Sequence, residues 1–202
     1  MTKRSTVNPK VIELTMTAFL ATLIILMTFT PIGYIPVGPL KLTLLTLPVA
    51  VGSVVLGWKS GLILGGVFGI SSFITCFGMD AFGVALMAVN PFLTAVVCIV
   101  PRLLCGLLPA LLFKLISKDG TCRLWVAIPI CGGAVAVTNT VLFLFTMWLC
   151  FSSTLLELVG TNNLLTIFGL FAGTNGLIEI AVNVVVGTAI CKPLFDLKKR
   201  LV

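Results

Sequence analysis

The chain has 202 residues, 59% of them hydrophobic and only 9% charged, with no histidine and a net charge of +7. Mean hydropathy is +1.23. A soluble domain carries about 25% charged residues, so this composition excludes a soluble globular protein and describes an integral membrane protein, embedded in a lipid bilayer. The positive residues flank apolar segments, which fits the inner loops of a membrane protein and argues against a nucleic-acid partner. Seven cysteines without a CxxC pair, and no histidine, argue against a structural zinc site. They give no reason to expect a metal or cofactor.

No Gly/Ser/Pro-rich linker divides the chain, so residues 1–202 read as one all-α membrane domain. The first predicted helix, Val11 to Thr30, follows a basic N-terminus. No small-residue cleavage site comes after it, so it reads as a retained helix and not as a signal peptide. Thr17 with Ala21, and Ala18 with Thr22, are small-xxx-small pairs that let another helix approach closely. The partner is either a neighbour in the same bundle or a second protein.

Pro31 to Pro39 holds three prolines and two glycines around Tyr34 and cannot continue a helix. It reads as an ordered apolar loop, either a lid over a site or an interfacial anchor. Two short helices are predicted next, 42–56 and 62–77, joined by a turn at Gly57 to Gly61. Gly65, Gly66, Gly69, Ser71 and Ser72 give the second of them a thin face for close packing. A loop over 78–91 carries Asp80 and Asn90.

The remaining predicted helices cover 92–116, 124–151 and 165–190. Arg102 follows Pro101 near the middle of the first. Thr138-Asn139-Thr140 is the polar patch of the second. On the last, Asn175, Glu179 and Asn183 recur every four residues and stack as one polar stripe. Six spans put both termini on one side of the membrane. Of the 13 Lys and Arg residues, all but Lys41 and Arg102 fall on that side, so both termini are expected in the cytoplasm.

Ionisable groups at membrane depth cost roughly 2.5–3.5 kcal/mol on insertion scales and usually face a protein interior or a wet cavity. Arg102 and Glu179 are two such groups. Arginine only donates, ionised glutamate only accepts, and asparagine does both. With Asn139 and Asn175 they suit a small polar molecule bearing a carboxylate and hydroxyl or amide groups. The alternative is an internal network that ties the helices together. The sequence has no HExxH, GxSxG or P-loop, so neither an enzyme nor a self-contained ATPase is expected.

The layout resembles the substrate-binding S components of energy-coupling factor (ECF) vitamin transporters over nearly the whole chain. The features that carry the likeness are Ala18 and Ala21, Ile35-Pro-Val-Gly-Pro39, Leu47 through Gly57, Lys59-Ser-Gly61 and Phe68-Gly-Ile-Ser-Ser72. Asn90-Pro91, Pro101-Arg-Leu-Leu-Cys-Gly106, Thr138-Asn139-Thr140 and Asn175 through Glu179 complete them. The resemblance implies a subunit of the prokaryotic plasma membrane that captures a water-soluble vitamin. Such a subunit then joins a coupling membrane subunit and two cytoplasmic ATPases. The Gly-Tyr-Ile-Pro-Val-Gly loop and the Pro-Arg segment look most like pantothenate-type members. Folate, pyridoxine and thiamine-precursor members stay open, as does a membrane scaffold of another class. Tyr34, Asn90, Arg102, Asn139, Asn175 and Glu179 are then the expected substrate contacts. Thr17, Ala18, Ala21 and Thr22 are the expected docking residues.

Overall fold

The computed structural model describes residues 8–37, 40–117, 124–159 and 163–201. Helix α1 (Pro9–Thr28) starts at Asn8, whose side-chain oxygen accepts from the Lys10 N–H at 3.0 Å. Pro9 stands at the first helical position, where its missing donor costs nothing. A single 3₁₀ turn (Pro31–Gly33) leads into strands β1 (Tyr34–Val37) and β2 (Leu40–Thr43). The strands pair antiparallel, with Tyr34 opposite Thr43. Helix α2 (Thr46–Val51) continues as a π-helical turn (Gly52–Leu56).

Gly57 then reverses the chain at φ +102°, a conformation open to glycine, and α3 (Trp58–Thr75) begins at once. A short helix α4 (Ala81–Val89) leads to α5 (Pro91–Ile116), α6 (Leu124–Val159) and α7 (Leu164–Leu201).

Among the described residues, α1, α5, Val126–Leu156 and Gly176–Leu197 are long and apolar enough to cross a membrane. Of the six spans expected from the sequence, two of them short, four correspond to helices of that length and apolarity. Thr46–Leu56 rises only about 16 Å at 1.5 Å per residue, short of a hydrocarbon core of about 30 Å. The β1–β2 hairpin precedes it in the chain. This hairpin corrects two expectations. Among the described residues the regular structure is helical apart from this hairpin, and the second helix begins at Thr46, not Leu42, because residues 40–43 pair with 34–37.

The 78–91 segment is not a plain loop. Asp80 accepts from the Gly83 N–H at 2.9 Å and starts α4. The fifth predicted helix does not stop at 151: Phe151 leaves helical geometry (φ −131°, ψ 33°), yet the helix resumes to Val159. Phe151 itself is buried against Leu144, Met147 and Leu155.

Two apolar clusters fill the interior. The larger gathers Val49 to Val51 and Val54 to Leu56 with Ile24, Leu64, Phe68, Cys105, Phe113, Ile128 and Val135. The short α2 and its π turn are thus the centre of the bundle, buried on every side. The smaller cluster joins Leu86, Val97, Leu144, Met147, Phe151 and Leu155. Along α5 the two are separated by the stretch around Arg102, and along α6 by the stretch around Asn139.

Glycines fix how α3 meets α5. A Cβ on Gly61 would strike the Gly106 carbonyl, and one on Gly65 the Arg102 carbonyl, well inside contact distance; one on Gly69 would lie 2.9 Å from the Ile99 Cα. These residues recur every four positions and form one seam. The Ser53 hydroxyl adds a hydrogen bond to the Gly106 carbonyl at 2.9 Å. Because Gly65 rests on the Arg102 backbone, the seam sets where the Arg102 side chain starts.

Candidate functional site

The polar groups collect in the layer between the two clusters. Arg102 is 9% exposed. Its Nη1 donates to the Val97 carbonyl at 2.9 Å. That carbonyl is available because Pro101, four residues on, has no N–H to fill it. The guanidinium lies near two rings, 4.5 Å from the Phe143 centroid and 5.4 Å from that of Phe68. Both are within cation–π range. Its Nε has no hydrogen-bond partner among the described residues.

Glu179 lies across the layer on α7, 8% exposed. The Thr46 hydroxyl donates to its Oε1 at 3.2 Å. Asn183, one turn further on, donates from Nδ2 to the Thr46 hydroxyl oxygen and to the Glu179 carbonyl, both at 2.9 Å. Asn139 and Thr140 on α6 lie near the Glu179 carboxylate. The side-chain oxygens of Asn139 and Asn183 are buried without partners among the described residues.

Arg102 and Glu179 influence each other electrostatically but form no direct ion pair. Arg102 hydrogen-bonds within its own helix, to Val97, and Glu179 accepts from Thr46 on α2. A buried Nε–H and two buried amide oxygens remain unsatisfied in the same layer, where an orphaned polar atom costs about 1–3 kcal/mol. The arrangement can hold an anionic group at the Arg102 end and hydrogen-bonding groups at the Glu179 end.

Tyr34 opens β1, half-buried, within electrostatic range of Arg102 and Asp80. Burial pushes its phenol up to about 12, with the Arg102 cation pulling the other way, so the hydroxyl stays neutral at physiological pH. Tyr34 packs against the larger apolar cluster, and β2 packs on α7, the helix that carries Glu179.

Other expected contacts fall elsewhere. Asn90 caps α5, its oxygen accepting from the Phe92 and Leu93 N–H groups at 3.0 and 3.2 Å. That occupies the atom a ligand would have used. Asn175 is in α7, but its side chain lies outside the described residues. On α1, Thr17 is buried and donates to the Ser60 hydroxyl at 2.9 Å. Ala21 packs on the larger cluster. Ala18 and Thr22 face outward. Beside them an apolar groove of about 440 Å³ runs between α1, α2 and α7, past Phe19, Leu23, Val51, Val55 and Ile190.

The sequence reading missed Thr46, Phe68 and Phe143. Thr46 carried a weak signal, a hydroxyl two residues before Pro48 in an apolar run. The two rings carried none, since phenylalanine is ordinary in a membrane helix.

Comparison with known proteins gives a consistent result. A family profile described as "ECF transporter, substrate-specific component" matches residues 13–191. The pantothenic acid transporter PanT of Lactococcus lactis subsp. cremoris is 34% identical over 167 residues, 77% of this chain and 79% of the relative. The pantothenate transporter PanT of Leuconostoc mesenteroides subsp. mesenteroides is 30% identical over 141 residues, 66% of this chain and 67% of the relative.

Thr46→Val removes both the donor to Glu179 and the acceptor of Asn183. The expected cost is about 1–3 kcal/mol, read as a lower unfolding midpoint in detergent, with Thr46→Ser close to wild type. A Val variant as stable as wild type would show that this network does not tie α2 to α7.

Proposed function

The chain belongs to the family of substrate-specific components of ECF transporters, and from that premise we propose that it captures pantothenate for import. The relatives named as pantothenate transporters support the substrate. The observation that carries the reading is the pair of buried, opposite charges that share one layer without pairing. Pantothenate has a carboxylate at one end, an amide in the middle and two hydroxyls at the other end. Its carboxylate matches the Arg102 guanidinium, which keeps a free Nε–H. Its amide and hydroxyls match Asn139, Glu179 and Asn183, which together offer donors and acceptors. Tyr34, on the hairpin, is the candidate cover.

The subunit has no nucleotide-binding motif of its own, so uptake depends on partners. We assign it a coupling membrane subunit and two cytoplasmic ATPases, as in the family. Ala18 and Thr22, beside the apolar groove on α1, are the surface we assign to the coupling subunit. Thr17 and Ala21 serve the inner side of the same helix. The distribution of Lys and Arg supports a plasma-membrane protein of six passes with both termini in the cytoplasm.

Calorimetric titration of the purified chain in detergent tests the substrate and its site together. Pantothenate binds, and folate, pyridoxine and a hydroxymethylpyrimidine do not displace it. Asn139→Ala and Glu179→Gln each weaken binding roughly 10- to 100-fold, the effect of losing about 1–3 kcal/mol of buried hydrogen bonding. Unchanged affinity in both variants would sink the proposed site. Separately, Ala18→Leu is expected to prevent co-purification with the coupling subunit while leaving pantothenate affinity intact. Normal assembly of that variant would move the docking surface off α1.

A further inference from the structure

Two thiols meet at the end of the α3–α5 seam. Cys76 stands at the C-terminal cap of α3 and Cys98 lies early in α5, with their Sγ atoms 3.7 Å apart. They are 22 residues apart in sequence, and Asp80 and α4 lie between them. Both are buried, 6% and 5% exposed. The Cys76 thiol also donates to the Ser72 carbonyl at 3.4 Å. Helix α4 lies directly on the pair: a Cβ on Gly83 would come within 2.6 Å of the Cys76 Sγ.

The position of this pair matters. Cys98 and Arg102 are four residues apart on α5, hence on one face of that helix. Tyr34, Asp80 and Arg102 all act electrostatically on the two sulfurs or are acted on by them. The thiols thus form the wall of the polar layer beside its cationic end.

We propose that Cys76 and Cys98 are an oxidisable pair that a hydroperoxide joins as a disulfide bridging α3 and α5 across α4. One sulfur, as its thiolate, attacks the peroxide oxygen; the O–O bond breaks, an alcohol leaves and a sulfenic acid forms. The second sulfur attacks the first and displaces its hydroxyl, which leaves as water. The two thiols give up two electrons, the peroxide takes them, and the two thiol protons end in the alcohol and the water. Closing 3.7 Å to a bond of about 2.05 Å needs only side-chain rotation and a small shift. Cys76, at the cap where α3 ends, is placed to supply that shift.

Because α4 covers the thiols, an oxidant reaches them when α4 lifts from α5. The bridge then holds the end of α3 to α5 next to Arg102. Ligand seated on Arg102 opposes that opening. If the same opening admits ligand, pantothenate at 100 times its Kd slows oxidation about a hundredfold. This last clause rests on the proposed function; the pairing of the thiols does not.

The test treats the full-length chain in detergent with cumene hydroperoxide, with and without pantothenate. Remaining thiols are trapped with a maleimide and the products mapped by mass spectrometry. The expected product has lost two hydrogens and yields one cross-linked peptide containing Cys76 and Cys98. Cys76→Ser and Cys98→Ser each abolish it. Bridging between other cysteines, or over-oxidation of Cys76 and Cys98 without a bridge, would overturn the pairing. Equal rates at zero and saturating pantothenate, with binding confirmed by calorimetry, would overturn the link to the site. Absence of calorimetric binding would instead count against the substrate assignment, with the cross-link still decided by the maps.

Discussion

The structure depends on keeping a guanidinium at the middle of a membrane-embedded bundle. On insertion scales that charge costs roughly 2.5–3.5 kcal/mol, and more when it lacks hydrogen-bond partners. The chain offsets the cost locally. Pro101 withholds a backbone donor from Val97, and the next residue, Arg102, takes the vacated acceptor. Phe68 and Phe143 bring their rings within cation–π range of the guanidinium. The proline, the arginine and the two rings work as one unit, and three helices are needed to assemble it.

Much of the remaining fold follows from that unit. The glycine seam lets α3 lie close enough to α5 for Phe68 to reach the guanidinium. The buried α2 brings Thr46 to Glu179 and ties the carboxylate to the centre of the bundle. One apolar cluster lies on either side of the polar layer, which isolates its charged groups. Such a layer keeps its groups from water and leaves a few of them unsatisfied, as a pocket for a small anionic, hydroxyl-bearing molecule requires.

Much of this was legible in the sequence, for physical reasons. A charge in an apolar run is conspicuous, so Arg102 and Glu179 stood out, and the fourfold recurrence put Asn183 beside Glu179. The freed carbonyl was also readable, because Pro101 directly precedes Arg102. The glycine face of α3 was visible as a cluster of small residues. What failed were features that depend on pairing between distant segments. The hairpin could not be read because Pro36 and Pro39 argue for a loop, while the pairing of 34–37 with 40–43 is decided by tertiary contact. Asn90 is read as a site residue in the sequence, and its side-chain oxygen also caps α5, a role that an asparagine before a proline announces. Thr17, read as a docking residue, also bonds Ser60 within the bundle. The meeting of Cys76 with Cys98 has no sequence signature, since 22 residues and a helix separate them.

The central claim is that Arg102 recognises a carboxylate. The most direct measurement compares pantothenate with the analogue in which that carboxylate is replaced by a primary alcohol, by calorimetry on the purified chain. Wild type is expected to prefer the acid by roughly tenfold or more, the weight of a charge-assisted hydrogen bond of about 1.5–3 kcal/mol. Arg102→Met is expected to bind both weakly and without preference. Equal affinity of wild type for the two, or a preference that survives in Arg102→Met, would contradict the account.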